Sequence, residues 1–331
     1  MKVVIPMAGY GTRLRPHTWS KPKPLVTVAG KPVLGHVLDT VAGLPFVEEV
    51  IFVVGYLGEQ VEEYVRQGYP GLRARYIEQR ELLGQSHAVW LAREHLAGPM
   101  LMIFVDTLVE ADLAGLAREP AGAVAFVRAV SDPRRFGVAE LGAHGRVTRL
   151  VEKPQDSANN LAVVGLYYFA DSARLLGAIE SQMALGEKLK GEYFLADAIN
   201  LLLDDGLDMR VEPVEVWMDC GTPESLLETN RFLLDRGRDN SAEAARRPEV
   251  LVIPPVYIDP TAELRQAVIG PHVTIAADCV VERSILQDSI VDAGSSILDT
   301  TLMHSLIGRD ARVVGRHRSL NVGDSSEVGF A

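Results

Sequence analysis

Two glycines and six basic side chains near the start of the chain have the types and spacing needed to hold a polyphosphate. Gly9 and Gly11 follow the apolar run Val3–Ile5, and no Asp or Glu precedes Asp39. The cations of this acid-free stretch are Lys2, Arg13, Arg15, Lys21, Lys23 and Lys31. Glycine lets the backbone approach a ligand, backbone N–H groups of such a turn bind phosphate oxygens, and Arg and Lys supply charge. The stretch therefore predicts a phosphate-binding loop after a buried strand.

Two common phosphate-binding motifs do not fit this loop. A Walker loop ends in Gly-Lys-Ser/Thr, whereas this loop ends in Gly11-Thr12-Arg13-Leu14. A dinucleotide fingerprint needs a small residue where Leu14 stands and a helix that begins at once, which Pro16 disfavours. A glycine turn beside a solvated basic loop is the structural alternative.

Two aspartates follow predicted strands. Asp106 comes after the apolar run 100–105, and Asp219 comes after the strand predicted at 210–217 and just before a helix start at Thr222-Pro223. Ligands of open α/β sheets bind beyond the carboxyl ends of the strands, and the carboxylate of Asp106 at such a place is suited to Mg²⁺. A structural role in a turn or a helix cap is the alternative for each aspartate.

The order of apolar runs and helical spacings predicts an α/β fold. Strands are predicted at 3–5, 49–54, 73–77, 100–105, 123–130, 161–169 and 210–217. Helices are predicted at 33–44, 58–67, before 96, before 185, from 191 to 203, and at 223–234. This alternation predicts a Rossmann-like, mainly parallel sheet, and the turn at His144-Gly145 predicts a hairpin that makes the sheet mixed.

A different periodicity begins near residue 250. Apolar residues recur every five or six positions at Ile258, Leu264, Ile269, Ile275, Val281, Leu286, Val291, Ile297, Leu302, Ile307 and Val313. This step is too short for a helix and too regular for an ordinary sandwich. It predicts a β-solenoid whose coils stack one apolar row on the next.

Composition excludes several classes of protein. The chain has 331 residues, 47% of them apolar and 23% charged, and a formal net charge of −11. These values indicate a globular protein without nucleic acid as its main partner. The sequence shows no apolar run of about 20 residues and no signal-peptide pattern, so neither a membrane nor secretion is expected. The two cysteines, Cys220 and Cys279, are far apart, which favours free thiols in a reducing cytoplasm.

Taken together, the motifs resemble those of the sugar-1-phosphate nucleotidyltransferases, also called NDP-sugar pyrophosphorylases. The N-terminal motifs are Gly9-x-Gly11-Thr12-Arg13-Leu14-x-Pro16, Pro22-Lys23-Pro24-Leu25 and Lys31-Pro32, and the later ones are Leu83-Gly84-x-x-His87-Ala88, Glu152-Lys153-Pro154 and Trp217-x-Asp219-x-Gly221-Thr222-Pro223. One departure is Val105-Asp106, where the family usually has Gly-Asp. The repeats after 250 resemble hexapeptide left-handed β-helices. The resemblance implies a catalytic domain at 1–237, a linker at 238–249 and a left-handed parallel β-helix at 250–331.

The resemblance also implies a reaction. A nucleoside triphosphate and a sugar 1-phosphate would give an NDP-sugar and pyrophosphate, with Mg²⁺ as cofactor. The implied catalytic residues are Arg13, Lys23 and Asp106, and the implied metal ligands are Asp106 and Asp219. The implied nucleotide-binding residues are Ala8, Gly9, Gly11, Thr12, Arg13, Gln79 and Gly84. The implied sugar-phosphate-binding residues are Gly137, Glu152, Lys153, Gly165 and Glu192.

Several alternatives stay open. The first expectation for the substrates is dTTP or UTP with glucose 1-phosphate, and the runner-up is GTP with mannose 1-phosphate. A second hypothesis for the function is a non-catalytic sensor of nucleotide sugars, supported by Val105. An additional acyltransferase activity would use His272, His304 or His317. His87 has no assigned chemistry, and the open ends of a short solenoid favour a homo-oligomer.

Overall fold

The computed structural model describes residues 1–186 and 188–315. The chain divides into two compact units. The first comprises Met1–Val26 and Lys31–Thr229, and the second comprises Thr27–Gly30 and the chain from Asn230 onward. The predicted domain boundaries at 237 and 250 stay predictions. The predicted repeats beyond 315, and His317 with them, lie outside the described residues.

All the α-helices and the longer strands that the structure describes lie within the first 244 residues, and short strands follow up to residue 314. Up to the middle of the chain the elements are β1 (Lys2–Pro6), β2 (Thr27–Val28), β3 (Lys31–Pro32), α1 (Val33–Ala42), β4 (Glu49–Val54), α2 (Gly58–Gly68), β5 (Ala74–Glu78), α3 (Gln85–Leu91), β6 (Met100–Ile103), β7 (Thr107–Glu110), β8 (Ala123–Ala129), β9 (Gly137–Leu141) and β10 (Val147–Glu152). They continue with β11 (Leu161–Phe169), α4 (Ser172–Leu185), α5 (Leu195–Asp204), β12 (Met209–Pro213), β13 (Val216–Asp219), α6 (Pro223–Asp235) and α7 (Ser241–Ala244). The short strands are β14 (Val250–Val252), β15 (Val256–Ile258), β16 (Glu263–Arg265), β17 (Ala267–Ile269), β18 (Val273–Ile275), β19 (Val280–Glu282), β20 (Ile285–Gln287), β21 (Ile290–Val291), β22 (Ser296–Leu298), β23 (Thr301–Met303), β24 (Leu306–Ile307) and β25 (Arg312–Val314).

One nine-stranded sheet organises the first unit. Its order is β10-β9-β11-β6-β1-β4-β5, and β8 pairs with β11 and with β12. The pairs of β1 with β4 and β6, of β4 with β5 and of β8 with β12 are parallel. The strand β11 is antiparallel to β6, β8 and β9, and β10 is antiparallel to β9. Only β10 and β11 among these nine described strands therefore run against the rest, which confirms the predicted mixed, mainly parallel sheet and its hairpin.

Helices cover both faces of this sheet. Val4 and Ile51 pack in one apolar cluster with residues of α3, α4 and α5, whereas Val3, Ile5 and Phe52 pack in a second with α1 and α2. Because successive side chains of a strand point to opposite faces, strands buried on both faces read as continuous apolar runs. Each fully buried side chain of this kind stabilises the fold by about 1.5–3 kcal/mol.

A small second sheet is the main difference from the predicted arrangement. The chain after β6 turns at Asp106 and forms β7, which pairs antiparallel with β13. The single strand predicted at 210–217 is therefore two strands, β12 in the large sheet and β13 in the small one. The break lies between Pro213 and Val216. This pairing places Asp219 opposite Thr107, one residue from Asp106.

The second unit contains three parallel sheets, each formed by one strand from every coil. Their orders are β14-β17-β20-β23, β15-β18-β21-β24 and β16-β19-β22-β25. Val250 pairs with Ala267, and Ile285 pairs with Thr301, so one coil takes 17 residues early (267 − 250) and 16 later (301 − 285). The inward residues form one apolar cluster. The five-to-six-residue period thus builds a three-sided parallel β-helix, as predicted.

Several element ends differ from the predicted ones for local reasons. The strand β6 ends at Ile103, two residues early, because the chain turns there: the backbone N–H of Thr107 donates to the Phe104 carbonyl at 3.2 Å. The helix expected from 191 begins at Leu195, because Phe194 is extended (φ −78°, ψ 141°). Glu192 therefore lies in a turn before the helix rather than in its first turn. Both cysteines are free and buried, as expected.

Candidate active site

The glycine loop after β1 is a tight turn without a long helix, as predicted. Gly11 has φ +61°, and a Cβ there would lie 3.0 Å from Lys23 Cβ and 3.1 Å from Thr18 Cγ2. Thr18 Oγ1 donates to the Gly11 carbonyl at 2.9 Å. A single 3₁₀ turn, Thr12–Leu14, follows. Gly11 thus allows a left-handed backbone conformation in a tightly packed turn. Gly9 does not have a positive φ and borders open space.

Lys23 and Asp106 form an ion pair across this loop. Lys23 Nζ lies 2.5 Å from Asp106 Oδ2, and their side chains are 15% and 28% exposed. Burial by itself raises the pKa of Asp106, but the adjacent Lys23 ammonium and the Arg13 guanidinium together hold this pKa below its usual range. Asp106 is therefore a carboxylate at neutral pH.

Asp219 stands beside Asp106. The backbone N–H of Cys220 donates to the Asp106 carbonyl at 2.9 Å, which locks the end of β13 to the turn at Asp106. A Cβ at Gly221 would lie 2.8 Å from Asp219 Oδ1 and 2.9 Å from Arg13 Nη2, so these groups converge there. Burial and then the negative charge of Asp106 raise the pKa of Asp219, and Lys23 and Arg13 oppose this only in part. A carboxylate that raises the pKa of the carboxyl beside it favours a cation between the two.

The donor set fits an open magnesium site rather than a closed protein cage. Within residues 1–186 and 188–315 no group of three or more His, Cys, Asp or Glu side chains is arranged to hold a metal. Mg²⁺ is commonly bound through one or two carboxylates, with substrate phosphates and waters as its other ligands. Asp106 and Asp219, next to a phosphate-type loop, match that pattern.

A cavity of about 490 Å³ opens between the glycine loop, the segment after β5 and the end of β6. Every residue predicted to bind the nucleotide lines it: Ala8, Gly9, Gly11, Thr12, Arg13, Gln79 and Gly84. Lys23 and Asp106 also line it. The ligand-binding roles of these residues stay predictions, but together they form a compartment that is lined by two cations, Arg13 and Lys23, and by the Gln79 side chain.

The segment Gln79–His87 is fixed by hydrogen bonds rather than left as an open loop. Gln79 Nε2 lies 3.1 Å from the Gly84 carbonyl and 3.0 Å from His87 Nδ1. Gly84 has φ +96°, and a Cβ there would lie 2.6 Å from the Tyr193 carbonyl oxygen. The Tyr193 N–H donates to Leu83 at 2.8 Å and Ser86 N–H donates to Tyr193 at 3.2 Å. Gly84 thus allows a close backbone contact with the segment before α5.

A second cavity of about 450 Å³ adjoins the first. The predicted sugar-phosphate residues Gly137, Glu152, Lys153, Gly165 and Glu192 line it, and so does Asp219. Five residues line both cavities: Arg13, Gln85, Phe104, Asp106 and Glu192. The two cavities thus share a wall that contains one guanidinium, that of Arg13, and two carboxylates, those of Asp106 and Glu192.

The Glu152-Lys153-Pro154 motif contains an uncommon backbone conformation. Lys153 has φ +49°, a conformation that costs energy in a residue other than glycine. Its Nζ lies 3.3 Å from Glu152 Oε1 and 4.8 Å from the centre of the Phe194 ring. Burial raises the pKa of Glu152, the Lys153 ammonium opposes this, and the charges of Asp197 and Glu192 add to the rise. The side chains of the motif are therefore held together at the wall of the second cavity.

Several residues at the site were not anticipated from the sequence. Gln85 lines both cavities, and its Oε1 accepts a hydrogen bond from Leu195 N–H at 3.3 Å, at the start of α5. Arg135 and Trp217 line the second cavity, and Tyr10 lines the first. The signals that could have pointed to them are the aromatic residues inside two motifs, Tyr10 and Trp217, and the arginine two residues before Gly137, Arg135.

The histidines named for an acyltransferase role lie at corners of the β-helix. His272 and His304 both have left-handed backbones, with φ +61° and +51°. His272 Nε2 lies 2.9 Å from Asp235 Oδ1, and His304 Nδ1 lies 2.8 Å from Asp288 Oδ2. Both side chains are thus engaged with carboxylates of their own unit, and His317 lies outside the described residues.

The two adjoining cavities are compatible with a nucleotidyltransferase, and comparison with known proteins shows that class. The family model described as "Nucleotidyl transferase" matches residues 2–236. A glucose-1-phosphate thymidylyltransferase of Streptomyces antibioticus is 33% identical, over 99% of this chain and 99% of the relative. One of Streptomyces griseus is 33% identical, over 95% of this chain and 93% of the relative. The chain belongs to the nucleotidyl transferase family, and within it to the sugar-1-phosphate nucleotidyltransferases, as the motifs predicted.

A solved structure shares the fold of the larger part of the chain. The UDP-glucose pyrophosphorylase complexed with UDP-glucose superimposes with a TM-score of 0.62 at 21% identity, over 71% of this chain and 98% of that chain. No helix among the described residues is long and apolar enough to span a membrane.

Proposed function

We propose that this chain condenses a pyrimidine nucleoside triphosphate, dTTP or UTP, with glucose 1-phosphate to give an NDP-glucose and pyrophosphate. The observation that carries the proposal is the wall of Arg13 and Asp106 shared by two adjoining cavities. One cavity has a phosphate-type glycine loop, and the other has carboxylates and Lys153 suited to a sugar phosphate. Relatives over nearly the full chain length are named glucose-1-phosphate thymidylyltransferases, which supports glucose 1-phosphate and dTTP.

The reaction needs positioned positive charge rather than a protein nucleophile. A phosphate oxygen of the sugar 1-phosphate attacks the α-phosphorus, and the bond from that phosphorus to the bridging oxygen of pyrophosphate breaks. Two anions must meet, and charge grows on the leaving group, so cations and in-line geometry dominate catalysis. Arg13 would hold the β- and γ-phosphates, Lys23 the α-phosphate and Lys153 the attacking phosphate.

Asp106 and Asp219 are the residues that would hold Mg²⁺. When bound, the ion would neutralise phosphate charge at the shared wall. The pairing of Lys23 with Asp106 supports this assignment, because a bound metal and a bound phosphate would each give one partner a new counterion. Lys23 would then be free to turn from the carboxylate to phosphate oxygens.

Recognition of the two organic groups would come from the outer walls of the cavities. Gln79 Oε1 would accept a hydrogen bond from the base, and Gly84 would border it. Glu152 and Glu192 would accept hydrogen bonds from sugar hydroxyls, with Gly137 and Gly165 leaving room for the ring. A carboxylate is an acceptor with several lone pairs, which suits a polyol.

The domain boundaries, the oligomeric state and the location of the protein are further parts of this proposal. We propose a catalytic domain at 1–237, a linker at 238–249 and a left-handed β-helix at 250–331, with a homo-oligomer as the working form in the cytoplasm. The two free, buried cysteines support a reducing compartment.

Pyrophosphorolysis tests the proposed function. The purified protein would be incubated with pyrophosphate, Mg²⁺ and either dTDP-glucose, UDP-glucose or GDP-mannose, and the released triphosphate would be measured. We expect release from dTDP-glucose or UDP-glucose. Release from GDP-mannose alone would overturn the base and sugar assigned here, and release from none of the three would overturn the proposed reaction.

A further inference from the structure

We infer that His87 is a positioning residue that orients the Gln79 amide, so that the nucleotide cavity selects bases carrying a ring N–H donor, as uracil and thymine do. The inference deepens the proposed function and rests on it for the identity of the cavity as a nucleotide site. His87 itself is not among the residues that line the cavity, so it acts through Gln79.

The hydrogen bonds of Gln79 leave its carbonyl oxygen for a ligand. Gln79 is only 5% exposed, yet it lines the cavity. Its Nε2 contacts two acceptors, the Gly84 carbonyl at 3.1 Å and His87 Nδ1 at 3.0 Å. An amide nitrogen has two hydrogens, so both are used inside the protein. Oε1 is the polar atom of this side chain that remains for a base.

The contacts of His87 make Nδ1 an acceptor. Gln79 Nε2, which lies 3.0 Å from His87 Nδ1, is an amide nitrogen and can only donate, so Nδ1 accepts. The ring also stacks on Trp90, with centroids 6.1 Å apart and planes 19° apart. A neutral imidazole that donates through one nitrogen accepts through the other. The fixed ring therefore presents a lone pair to the amide of Gln79.

Protonation of His87 would reverse this polarity. The charged groups that act on the His87 ring are Glu81, in the loop before α3, and Lys188, in the segment before α5. Burial lowers the pKa of His87 and Lys188 adds to this, while Glu81 opposes it. The ring is neutral at pH 7 and above. As the pH falls through this lowered pKa, Nδ1 gains a hydrogen and can no longer accept from the amide.

The orientation of one amide is enough to separate two pyrimidines. Uracil and thymine carry a hydrogen on N3, which Oε1 accepts, whereas N3 of cytosine is itself an acceptor and is repelled. A site that leaves a buried polar group unpaired with the wrong ligand discriminates strongly. UTP and CTP have the same sugar and phosphates, so the ratio of their affinities reports the base contact alone.

Two substitutions at one position test the inference. His87→Phe keeps an aromatic ring against Trp90 and removes both nitrogens, and His87→Asn can place Oδ1 near the position of Nδ1. Dissociation constants and kcat/KM for UTP and CTP would be measured at pH 8, with thermal unfolding in parallel. We expect the preference for UTP over CTP to fall about tenfold in the Phe variant and to recover in the Asn variant. A lower melting temperature with an unchanged preference would mean that His87 is merely structural, and would overturn the inference.

The wild-type protein provides a second test that needs no substitution. The UTP:CTP affinity ratio should fall as the pH is lowered from 8 towards 5.5 and should stay flat in the Phe variant. A ratio independent of pH in the wild type, or no preference for UTP, would overturn the inference. Selective binding without turnover would defeat the proposed function and leave the inference standing, whereas turnover with an unchanged ratio in the variants would defeat the inference alone.

Discussion

Lys23 Nζ lies 2.5 Å from Asp106 Oδ2, although the two residues are 83 positions apart in the chain. Each belongs to a different part of the proposed chemistry, since Lys23 would bind the α-phosphate and Asp106 would bind Mg²⁺. Without ligands, the Lys23 ammonium and the Asp106 carboxylate neutralise each other's charge in a partly buried position. Such pairing avoids the cost of an uncompensated buried charge until substrate and metal arrive.

Lys23→Ala should lower kcat by about 100-fold or more, because it removes the cation placed where charge develops on the α-phosphate. Circular dichroism and thermal unfolding should show a folded protein. Arg15→Ala is the matched control, because Arg15 is an exposed cation of the same loop that does not line either cavity. The control should keep turnover close to wild type. Equal losses in both variants would point to loop charge in general rather than to Lys23.

Asp219→Asn should also lower kcat by about 100-fold or more, and it should raise the Mg²⁺ concentration needed for half-maximal activity. The substitution keeps the size of the side chain and removes one of two adjacent carboxylates. Asp204→Asn, at the exposed end of α5, serves as control and should change neither quantity. An unchanged Mg²⁺ dependence in Asp219→Asn would contradict its role as a metal ligand.

Glu152→Gln should raise the stability of the protein and lower its activity, and the gain in stability should depend on pH. Because burial raises the pKa of Glu152 in the folded state above that of an unfolded chain, the folded protein binds more protons, and stability falls as the pH rises. The Gln variant should therefore be more stable than wild type in urea at pH 8, with a gap that shrinks towards pH 5, while its kcat/KM for the sugar phosphate is lower. Glu140→Gln, on the exposed part of β9, should show neither effect. A Gln variant less stable than wild type at pH 8 would refute the electrostatic account of this site.

Gly84→Ala should destabilise the protein by about 1–3 kcal/mol, because the new Cβ would meet the Tyr193 carbonyl and the backbone has a positive φ. Gly177→Ala, within α4 and with nothing within 4 Å of its Cβ position, should instead stabilise it by about 0.5–1 kcal/mol. Urea unfolding of both variants measures the difference. A Gly84→Ala variant as stable as wild type would mean that the contact with Tyr193 is looser than described.

The local sequence pattern predicted the bounds of an element correctly where that element is buried and flanked by clear turn residues. The strands β4 and β11 occupy the predicted residues, and α6 starts at Pro223 with Thr222 Oγ1 accepting from Ser225 N–H at 3.2 Å. The motif residues could also be placed near one another, because the carboxyl ends of neighbouring parallel strands share one edge of a sheet.

Long-range pairing could not be predicted in the same way. Thr107–Glu110 has no clear alternation of polar and apolar residues, and its partner β13 is more than 100 residues away in the sequence. The contacts of Gln79 with His87 and of Lys23 with Asp106 depend on side-chain orientation, which periodicity does not encode. Val105, which stands where the family usually has Gly, is buried and lines the first cavity beside Asp106.

Pyrophosphate release with Mg²⁺, measured for dTTP, UTP, GTP, CTP and ATP against the 1-phosphates of glucose, mannose, galactose and N-acetylglucosamine, tests the proposed reaction most directly. We expect the highest kcat/KM for dTTP or UTP with glucose 1-phosphate, and little turnover with CTP. The highest activity with GTP and mannose 1-phosphate would contradict the base and sugar assigned here. No pyrophosphate from any pair, with nucleotide binding still detected by thermal shift, would contradict the claim that the shared wall of Arg13 and Asp106 carries out transfer.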